Sequence, residues 1–141
     1  DKMAEEIAED IKRLEIEDAA VRVIDEGIAI SLENIQFQPD SAVLLSGEQE
    51  KLDKIAEILR RYPDRDILVG GHTARAGSPA GQLELSRQRA AAAAAYLIEK
   101  GARTADRVMV RGYGAGKPLG DNNTEAGRRQ NRRVEITILE N

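Results

Sequence analysis

The spacing of apolar residues at the start of the chain predicts one helix followed by a β-hairpin. In residues 2–16 the apolar positions recur every three or four residues, with acidic residues between them: Met3, Ile7, Ile11 and Leu14. This period is typical of an amphipathic helix. Residues 21–32 (VRVIDEGIAISL) contain two apolar runs around Asp25-Glu26-Gly27, a turn with hairpin chemistry. They predict two short strands.

A second helix and a buried strand are expected next. Residues 47–61 carry an apolar face at helical spacing: Leu52, Ile55, Ile58 and Leu59. Ser46 is expected to cap this helix, with Gln49 at the third helical position as in a capping box. Pro63 is expected to end the helix. The short and mostly apolar segment DILVGG, residues 66–71, predicts a buried strand.

The second half of the chain predicts a long helix and two further strands. Residues 80–100 contain a run of alanines, and their inward side is expected to comprise Leu83, Leu85, Ala90, Ala93, Ala94 and Leu97. Alanine favours helices, and its small side chain lets a helix approach a sheet closely. Lys100-Gly101 is a C-cap signal, and residues 107–114 and 132–139 have strand patterns.

The order of these elements after the first helix is β-β-α-β-α-β-(α)-β. Alternation of this kind indicates an α/β (α+β) fold, a two-layer sandwich in which helices cover one face of a mixed sheet. In the last strand, one face is expected to carry Val134, Ile136 and Ile138.

Composition limits the possible classes of function. The 141 residues suit one domain with a real core, and the formal net charge of −4 argues against nucleic-acid binding. No apolar run approaches the ~18 residues needed to span a membrane. Residues 101–141 carry eight Lys or Arg and five Asp or Glu, a net of +3, so residues 1–100 carry −7. This imbalance favours a solvated face, with an anionic ligand at the basic end as the alternative.

Enzyme chemistry is not supported by the motifs. Without cysteine and with one histidine, the chain lacks thiol catalysis and the usual Cys/His zinc site. GYGAGKP, residues 112–118, has Arg111 where a Walker loop needs glycine and Pro118 where it needs Ser or Thr. His72, in GGHTARAG at residues 70–77, has no second metal ligand and no activated nucleophile in a known context. We expect no catalytic residue, no metal and no cofactor, and a structural, hydrogen-bonding role for His72.

Four segments, in this order, carry a resemblance to one family: IQF at 35–37, GGHTARAG at 70–77 with LSRQRA at 85–90, VRGYGAGKPLGDN at 110–122, and GRRQNRRVEITI at 127–138. This pattern resembles the OmpA-like domain, the peptidoglycan-associating module of outer membrane protein A, of the peptidoglycan-associated lipoprotein and of flagellar stator proteins. The resemblance covers roughly 21–139, so we expect an OmpA-like domain at 21–141 and an amphipathic helix or linker at 1–20. It implies a β-α-β-α-β-type fold in the periplasm, associated with the outer membrane or cell envelope, that binds the stem peptide of the cell wall without catalysis.

The resemblance also implies which residues would hold the ligand. In the family, the aspartate of Gly-His-Thr-Asp-x-x-Gly and the arginine of Leu-Ser-x-x-Arg-Ala hold the charged end of diaminopimelate. The arginine corresponds to Arg89, which can make a bidentate contact with a carboxylate. The aspartate corresponds to Ala74, which offers nothing to the ligand's ammonium. One unmatched charge of a desolvated pair costs about 2–5 kcal/mol, or roughly 30- to 4000-fold in affinity.

The other expected site residues are partly retained. Those that match the family pattern are Thr73, Ser86, Asn131 and Arg132. Gln82 stands in place of the usual asparagine, and Gly81 stands where an aromatic residue is common. The resemblance implies a helix hydrogen bond for Ser86, a core position for Leu85 and a place at the ligand rim for the C-terminal arginines. Glu84 is one possible source of the missing acid.

Two explanations of Ala74 are open: the natural protein lost the acid, or the acid was deliberately replaced by alanine. Three positions, Ala74, Gly81 and Gln82, differ from the family pattern, whereas a deliberate replacement would change only one. This favours natural loss. The leading hypothesis is therefore a non-catalytic envelope scaffold with a degenerate peptidoglycan site that binds diaminopimelate weakly or not at all. The alternatives are a working anchor that links the outer membrane to the cell wall, and a protein-interaction domain that binds other envelope proteins through its N-terminal helix or acidic face.

Overall fold

The computed structural model describes residues 1–140 as one five-stranded mixed sheet with helices packed on one of its faces. The elements in chain order are α1 (Lys2–Arg13), β1 (Ala19–Ile24), β2 (Gly27–Glu33), α2 (Ser46–Arg60), β3 (Ile67–His72), α3 (Pro79–Glu99), β4 (Val108–Gly112), α4 (Glu125–Asn131) and β5 (Arg133–Leu139). The strand order is β1-β2-β5-β3-β4, in which β3 and β4 pair in parallel and the other neighbours pair antiparallel. The predicted fold class and order of elements are confirmed. Within residues 1–140, no helix is long and apolar enough to cross a membrane.

The hydrophobic core lies between the helices and one face of the sheet. Alternate positions of the three central strands contribute to it: Ile28, Ile30, Leu32, Ile67, Val69, Val134, Ile136 and Ile138. The intervening positions of β5 carry Arg133, Glu135 and Thr137 and belong to the opposite face. The sheet therefore has one apolar face under the helices and one polar face.

Helix α3 packs closely on the sheet because two glycines lie beneath it. A Cβ atom on Gly71 would lie 2.0 Å from the backbone oxygen of Ser86, and one on Gly112 would lie 2.5 Å from the backbone nitrogen of Arg87. The absence of side chains on neighbouring strands β3 and β4 thus creates the space for the helix backbone. This contact sets the distance between α3 and the sheet, and thereby the position of Arg89 on that helix.

The alanine-rich part of α3 packs inward as predicted, whereas its first turns do not. Ala90, Ala93, Ala94 and Leu97 are buried. Leu83 is 50% exposed and Leu85 is only half-buried, so the prediction that both pack in the core is wrong. β3 ends at His72, and the backbone of Leu83 lies against Gly114, so the first turns of α3 rest on a loop rather than on the sheet.

We expect the substitution Ala93→Leu to lower the free energy of unfolding by about 1–3 kcal/mol, because Ala93 is fully buried on the side of α3 that faces the core. Urea unfolding followed by circular dichroism measures the change. Ala95→Leu is the matched control, since Ala95 is exposed on the same helix and should change stability by less than about 0.5 kcal/mol. Equal stability of the two variants would contradict the close packing.

Helix α2 begins one residue earlier than the sequence predicts. Ser46 is its first residue, and Leu45, which precedes it, makes no side-chain capping bond, so the predicted Ser46 cap is wrong. The cause lies outside the helix. Phe37 forms a β-bridge with Leu44, and the Leu45 nitrogen donates to the oxygen of Gln36 at 3.2 Å. This pairing keeps the chain extended up to Leu45.

Helix α1 packs on the common core. Ile7 is fully buried there, and Asp10, which is also buried, forms an ion pair with Arg61 at the end of α2. The helix ends at Arg13 rather than at residue 16, because Glu15 adopts a left-handed conformation with φ 55°. The division of the chain at residue 20 into a linker and a domain stays a prediction.

The substitution Ile7→Ala tests that division. Because Ile7 is fully buried among residues of the main core, we expect a loss of about 2–5 kcal/mol in the free energy of unfolding. Val23→Ala is the control, because Val23 is 61% exposed and its truncation should leave stability nearly unchanged. If Ile7→Ala unfolds like the parent chain in urea, α1 behaves as a separate linker.

Candidate functional site

Arg89 extends from α3 to the segment that precedes α2. Its Nε donates to the backbone oxygen of Ser41 at 3.0 Å, and its guanidinium lies 4.8 Å from the centre of the Phe37 ring. Burial lowers the pKa of Arg89, and the charge of Asp40 offsets only part of this shift. Arg89 is half-buried and forms no ion pair with another residue in 1–140. Its charge thus lies beside an aromatic ring and a carbonyl group, without a bonded carboxylate.

Ala74 lies just beyond the end of β3 and is nearly closed off from solvent, with 8% of its surface exposed. Its backbone oxygen accepts a long hydrogen bond from Gln82 Nε2 at 3.4 Å. The preceding Thr73 is held by its backbone nitrogen, which donates to Gly114 at 2.9 Å. Thr73 Oγ1 is buried without a partner in the described chain. A methyl group therefore stands at the position where the family pattern has a carboxylate.

Ser86 joins α3 to the glycine-rich loop after β4. Its Oγ donates to the oxygen of Leu83 at 2.8 Å, which is the predicted helix hydrogen bond, and accepts from the nitrogen of Gly114 at 2.9 Å. Gly114 is the residue that also binds Thr73, so Ser86 and Thr73 are linked through one peptide segment. With 1% of its surface exposed, Ser86 positions the loop and has no face open to a ligand.

Asn131 is fully buried at the end of α4 and holds the 119–122 segment. Its Oδ1 accepts from the nitrogens of Leu119 and Gly120 at 2.7 and 2.8 Å, and its Nδ2 donates to Asn122 Oδ1 at 2.9 Å. The same Asn122 oxygen accepts from the nitrogen of Arg75 at 3.3 Å. Asn131 thus supports the loop that contains Ala74 through one intermediate side chain, a contact across 47 residues that the sequence pattern did not reveal.

Two charged residues suggested as parts of the site are engaged elsewhere. Arg132 forms an ion pair with Glu125 of α4 at 2.6 Å. Glu84 is bound to Arg87 at 2.6 Å on the exposed side of α3, and this contact lowers its pKa. The suggestion that Glu84 supplies the missing acid is therefore not supported. The carboxylate whose charge acts on Arg89 is that of Asp40, a residue that the sequence analysis did not single out.

His72 is held by ring stacking at the end of β3. Its ring lies 4.9 Å from that of Tyr113 with an interplanar angle of 13°. Its Nδ1 is buried and has no hydrogen-bond partner in residues 1–140, so the expected bond is absent at this atom. Burial lowers the pKa of His72 to about 4, and the charge of Arg133 acts in the same direction. The imidazole is neutral at physiological pH.

The lowered pKa of His72 predicts a pH dependence of stability. The unfolded chain binds this proton near pH 6.5 and the folded chain only near pH 4, so the unfolded state holds more protons between these values. The contribution of neutral His72 to the free energy of unfolding is complete above pH 6.5. It decreases as the pH falls towards 4, by up to about 3 kcal/mol. His72→Asn should be modestly less stable at neutral pH and should lose less on acidification. Urea unfolding of the parent chain and of His72→Asn, at neutral pH and near pH 4, tests this. Equal acid sensitivity of the two proteins would contradict it.

The sequence and the fold are similar to those of known envelope proteins. The OmpA family profile matches residues 36–132. The peptidoglycan-binding protein ArfA of Mycobacterium tuberculosis is 36% identical over 104 residues, which are 74% of this chain and 32% of ArfA. The probable lipoprotein YiaD of Escherichia coli is 37% identical over 105 residues, which are 74% of this chain and 48% of YiaD. The solved cell wall anchor of the T6SS from Pseudomonas aeruginosa matches with a TM-score of 0.76 at 26% identity, covering 99% of this chain and 97% of the anchor.

This chain belongs to the OmpA family, as the sequence motifs predicted. It spans about a third of the length of ArfA and about half of YiaD. The match includes the loop with Ala74, helix α3 with Arg89, and α4 with Asn131.

Proposed function

We propose that this chain is a non-catalytic module of the bacterial periplasm, associated with the outer membrane or cell envelope, whose peptidoglycan site is degenerate. It retains the arginine of the ligand clamp as Arg89 and has Ala74 in place of the acid. We expect weak or absent binding of diaminopimelate and a scaffold role in the envelope. The family supports this setting, since one relative is named a peptidoglycan-binding protein and a structural neighbour a cell wall anchor.

The observation that carries the proposal is the charge imbalance around Arg89. The guanidinium has a carbonyl and an aromatic ring as neighbours and lacks an ion-pair partner in the described chain. It can therefore donate hydrogen bonds to a ligand carboxylate. The Ala74 methyl group cannot compensate an ammonium that loses its water on entry. The backbone oxygen of Ala74, already bonded to Gln82, supplies only a dipole in its place. A zwitterionic ligand therefore gains one charge contact and pays for the desolvation of two charges.

A working anchor is the second candidate, because one acid lies within electrostatic range of Arg89. Asp40 is exposed in the segment before α2, with φ 50°, and its charge partly offsets the lowering of the Arg89 pKa that burial causes. A ligand ammonium placed beside Asp40 would restore the two-charge clamp from a different loop. This function requires that binding depends on Asp40.

Sedimentation with purified cell wall distinguishes the two functions. Under the degenerate-site proposal, the unmodified chain stays mostly in the supernatant, Ala74→Asp sediments with the wall, and Asp40→Asn behaves like the parent chain. Glu84→Gln is the matched control, because Glu84 is an exposed acid paired with Arg87 on the same helix as Arg89. Sedimentation of the unmodified chain that is lost in Asp40→Asn would replace the proposal with the working anchor.

A further inference from the structure

A cleft lies on the polar face of the sheet, opposite the helices. It has a volume of about 450 Å³, and strands β1, β3 and β5 form its floor while the segment 113–119 forms a wall. The residues that matter for its chemistry are Arg22, His72, Tyr113, Lys117, Arg133 and Glu135. In the β3–β5 register Gly70 lies opposite Glu135, and Gly71, the next residue, faces α3. The cleft and the Arg89 site are thus on different faces of the sheet.

The cleft contains more positive than negative charge at its buried end. Glu135 Oε2 accepts from Arg22 Nη2 at 2.7 Å and from Arg133 Nε at 2.6 Å, so one carboxylate is shared by two guanidinium groups. Lys117 adds a third cation at the exposed rim, with its Nζ 4.6 Å from the centre of the Tyr113 ring. Its backbone oxygen accepts from Arg133 Nη2 at 2.9 Å, which ties the wall of the cleft to its floor.

Several polar atoms at this buried end have no partner. Arg133 is 3% exposed, yet its Nη1 is without a hydrogen bond in residues 1–140, and the same holds for Arg22 Nε and His72 Nδ1. A buried guanidinium nitrogen without a partner costs free energy, so proteins rarely leave such groups unpaired. Two guanidinium groups that share one carboxylate leave one positive charge uncompensated, and a guanidinium group suits a second carboxylate.

We infer that this cleft binds the carboxylate of a small ligand, an amino acid or the end of a short peptide. Arg133 and Arg22 hold the carboxylate, and the stacked rings of His72 and Tyr113 flank it. Asp25 and Glu26, in the hairpin turn between β1 and β2, line the opposite end of the cleft beside Leu139 and do not belong to the carboxylate site. The site is independent of the Arg89 site and of its proposed function.

Nuclear magnetic resonance titration of the full chain with the dipeptide alanyl-alanine tests the inference. The expected result is saturable shifts of the backbone signals of Tyr113, Lys117 and Arg133. The same dipeptide with an amidated C-terminus, which lacks the carboxylate, should bind at least about tenfold more weakly. Free alanine distinguishes the two ligand sources: comparable binding indicates an amino-acid site, and clearly weaker binding indicates a site for a peptide end.

Three variants locate the binding. Arg22→Gln should weaken dipeptide binding by about tenfold, because it removes one guanidinium from an edge strand where the side chain is 39% exposed. Arg111→Gln is the matched control, since Arg111 is exposed on β4, in register with Gly70, and lies outside the cleft. Arg89→Gln should leave the dipeptide-induced shifts of Tyr113, Lys117 and Arg133 unchanged, which separates this inference from the proposed function. If Arg22→Gln does not fold, Lys117→Ala on the exposed segment takes its place, with a smaller expected loss.

The inference is overturned by any of three results. These are no saturable shift with the dipeptide, equal binding of the amidated dipeptide, or binding that is lost in Arg89→Gln and kept in Arg22→Gln. The first result would mean that the unpartnered polar atoms of Arg22, His72 and Arg133 do not bind a ligand. The second would mean that the cleft does not recognise the carboxylate, and the third that the ligand binds at Arg89 on the other face of the sheet.

Discussion

Ala74→Asp should tighten the binding of a soluble diaminopimelate-containing muropeptide by about one order of magnitude or more. In the proposed site, Arg89 would hold the ligand carboxylate, and the ligand ammonium would lose its water against the methyl group of Ala74, a residue that is 8% exposed. A carboxylate at position 74 would restore the second half of the clamp. Calorimetry of the two proteins with the same muropeptide measures the gain.

The double variant with Arg89→Ala shows whether the gain arises from the proposed clamp. Because both charges act on one ligand group, the benefit of Ala74→Asp should disappear when Arg89 is removed, and the two effects should not add. Tight binding by the unmodified chain would mean that another acid, with Asp40 as the candidate, replaces the missing one. No gain from Ala74→Asp would mean that the pocket is closed or rebuilt.

Gly71→Ala should destabilise the fold by about 3 kcal/mol and displace helix α3. The added Cβ would lie 2.0 Å from the backbone oxygen of Ser86 and 3.3 Å from the Ala90 Cβ. A backbone oxygen in the middle of a helix cannot move alone, so the whole helix must shift away from β3. Ser86 would then lose its contact with Gly114, and Arg89 would leave its position beside Phe37.

Gly47→Ala is the matched control for this substitution. Gly47 lies in α2, and a Cβ atom there would meet no atom within 4 Å. Alanine favours the helix over glycine by up to about 1 kcal/mol, so stability should stay equal or rise. Urea unfolding of both variants decides the matter, and a Gly71→Ala protein as stable as the parent would contradict the close approach of α3.

Local patterns determined much of the fold. The 3.6-residue and two-residue periods of apolar side chains predicted the helices and strands, since each period reports which side of an element faces the core. Ala90, Ala93 and Leu97 were correctly placed on the inner side of α3. The family motifs were likewise local runs of sequence, so membership of the OmpA family followed from the sequence alone.

Contacts between distant segments were beyond these patterns. The predicted cap at Ser46 failed because Phe37 pairs with Leu44 and extends the chain up to Leu45. The surroundings of Arg89 come from Ser41, which is 48 residues away. A helical period gives the face on which a residue lies, but not which loop covers that face.

The sequence by itself determined the order of elements, the family and the alanine at the position where the family pattern has an acid, because each depends on residue identity and short-range period. Only the tertiary structure decided what the charged side chains do. Arg22 and Glu135 are separated by 113 residues and meet because β5 pairs with β2, next to β1. Along β5, the charges that alternate with Val134 and Ile136 suggest a solvated face. The 113–119 segment covers part of that face and makes it a cleft, since burial depends on what packs above a strand as well as on the strand's own pattern.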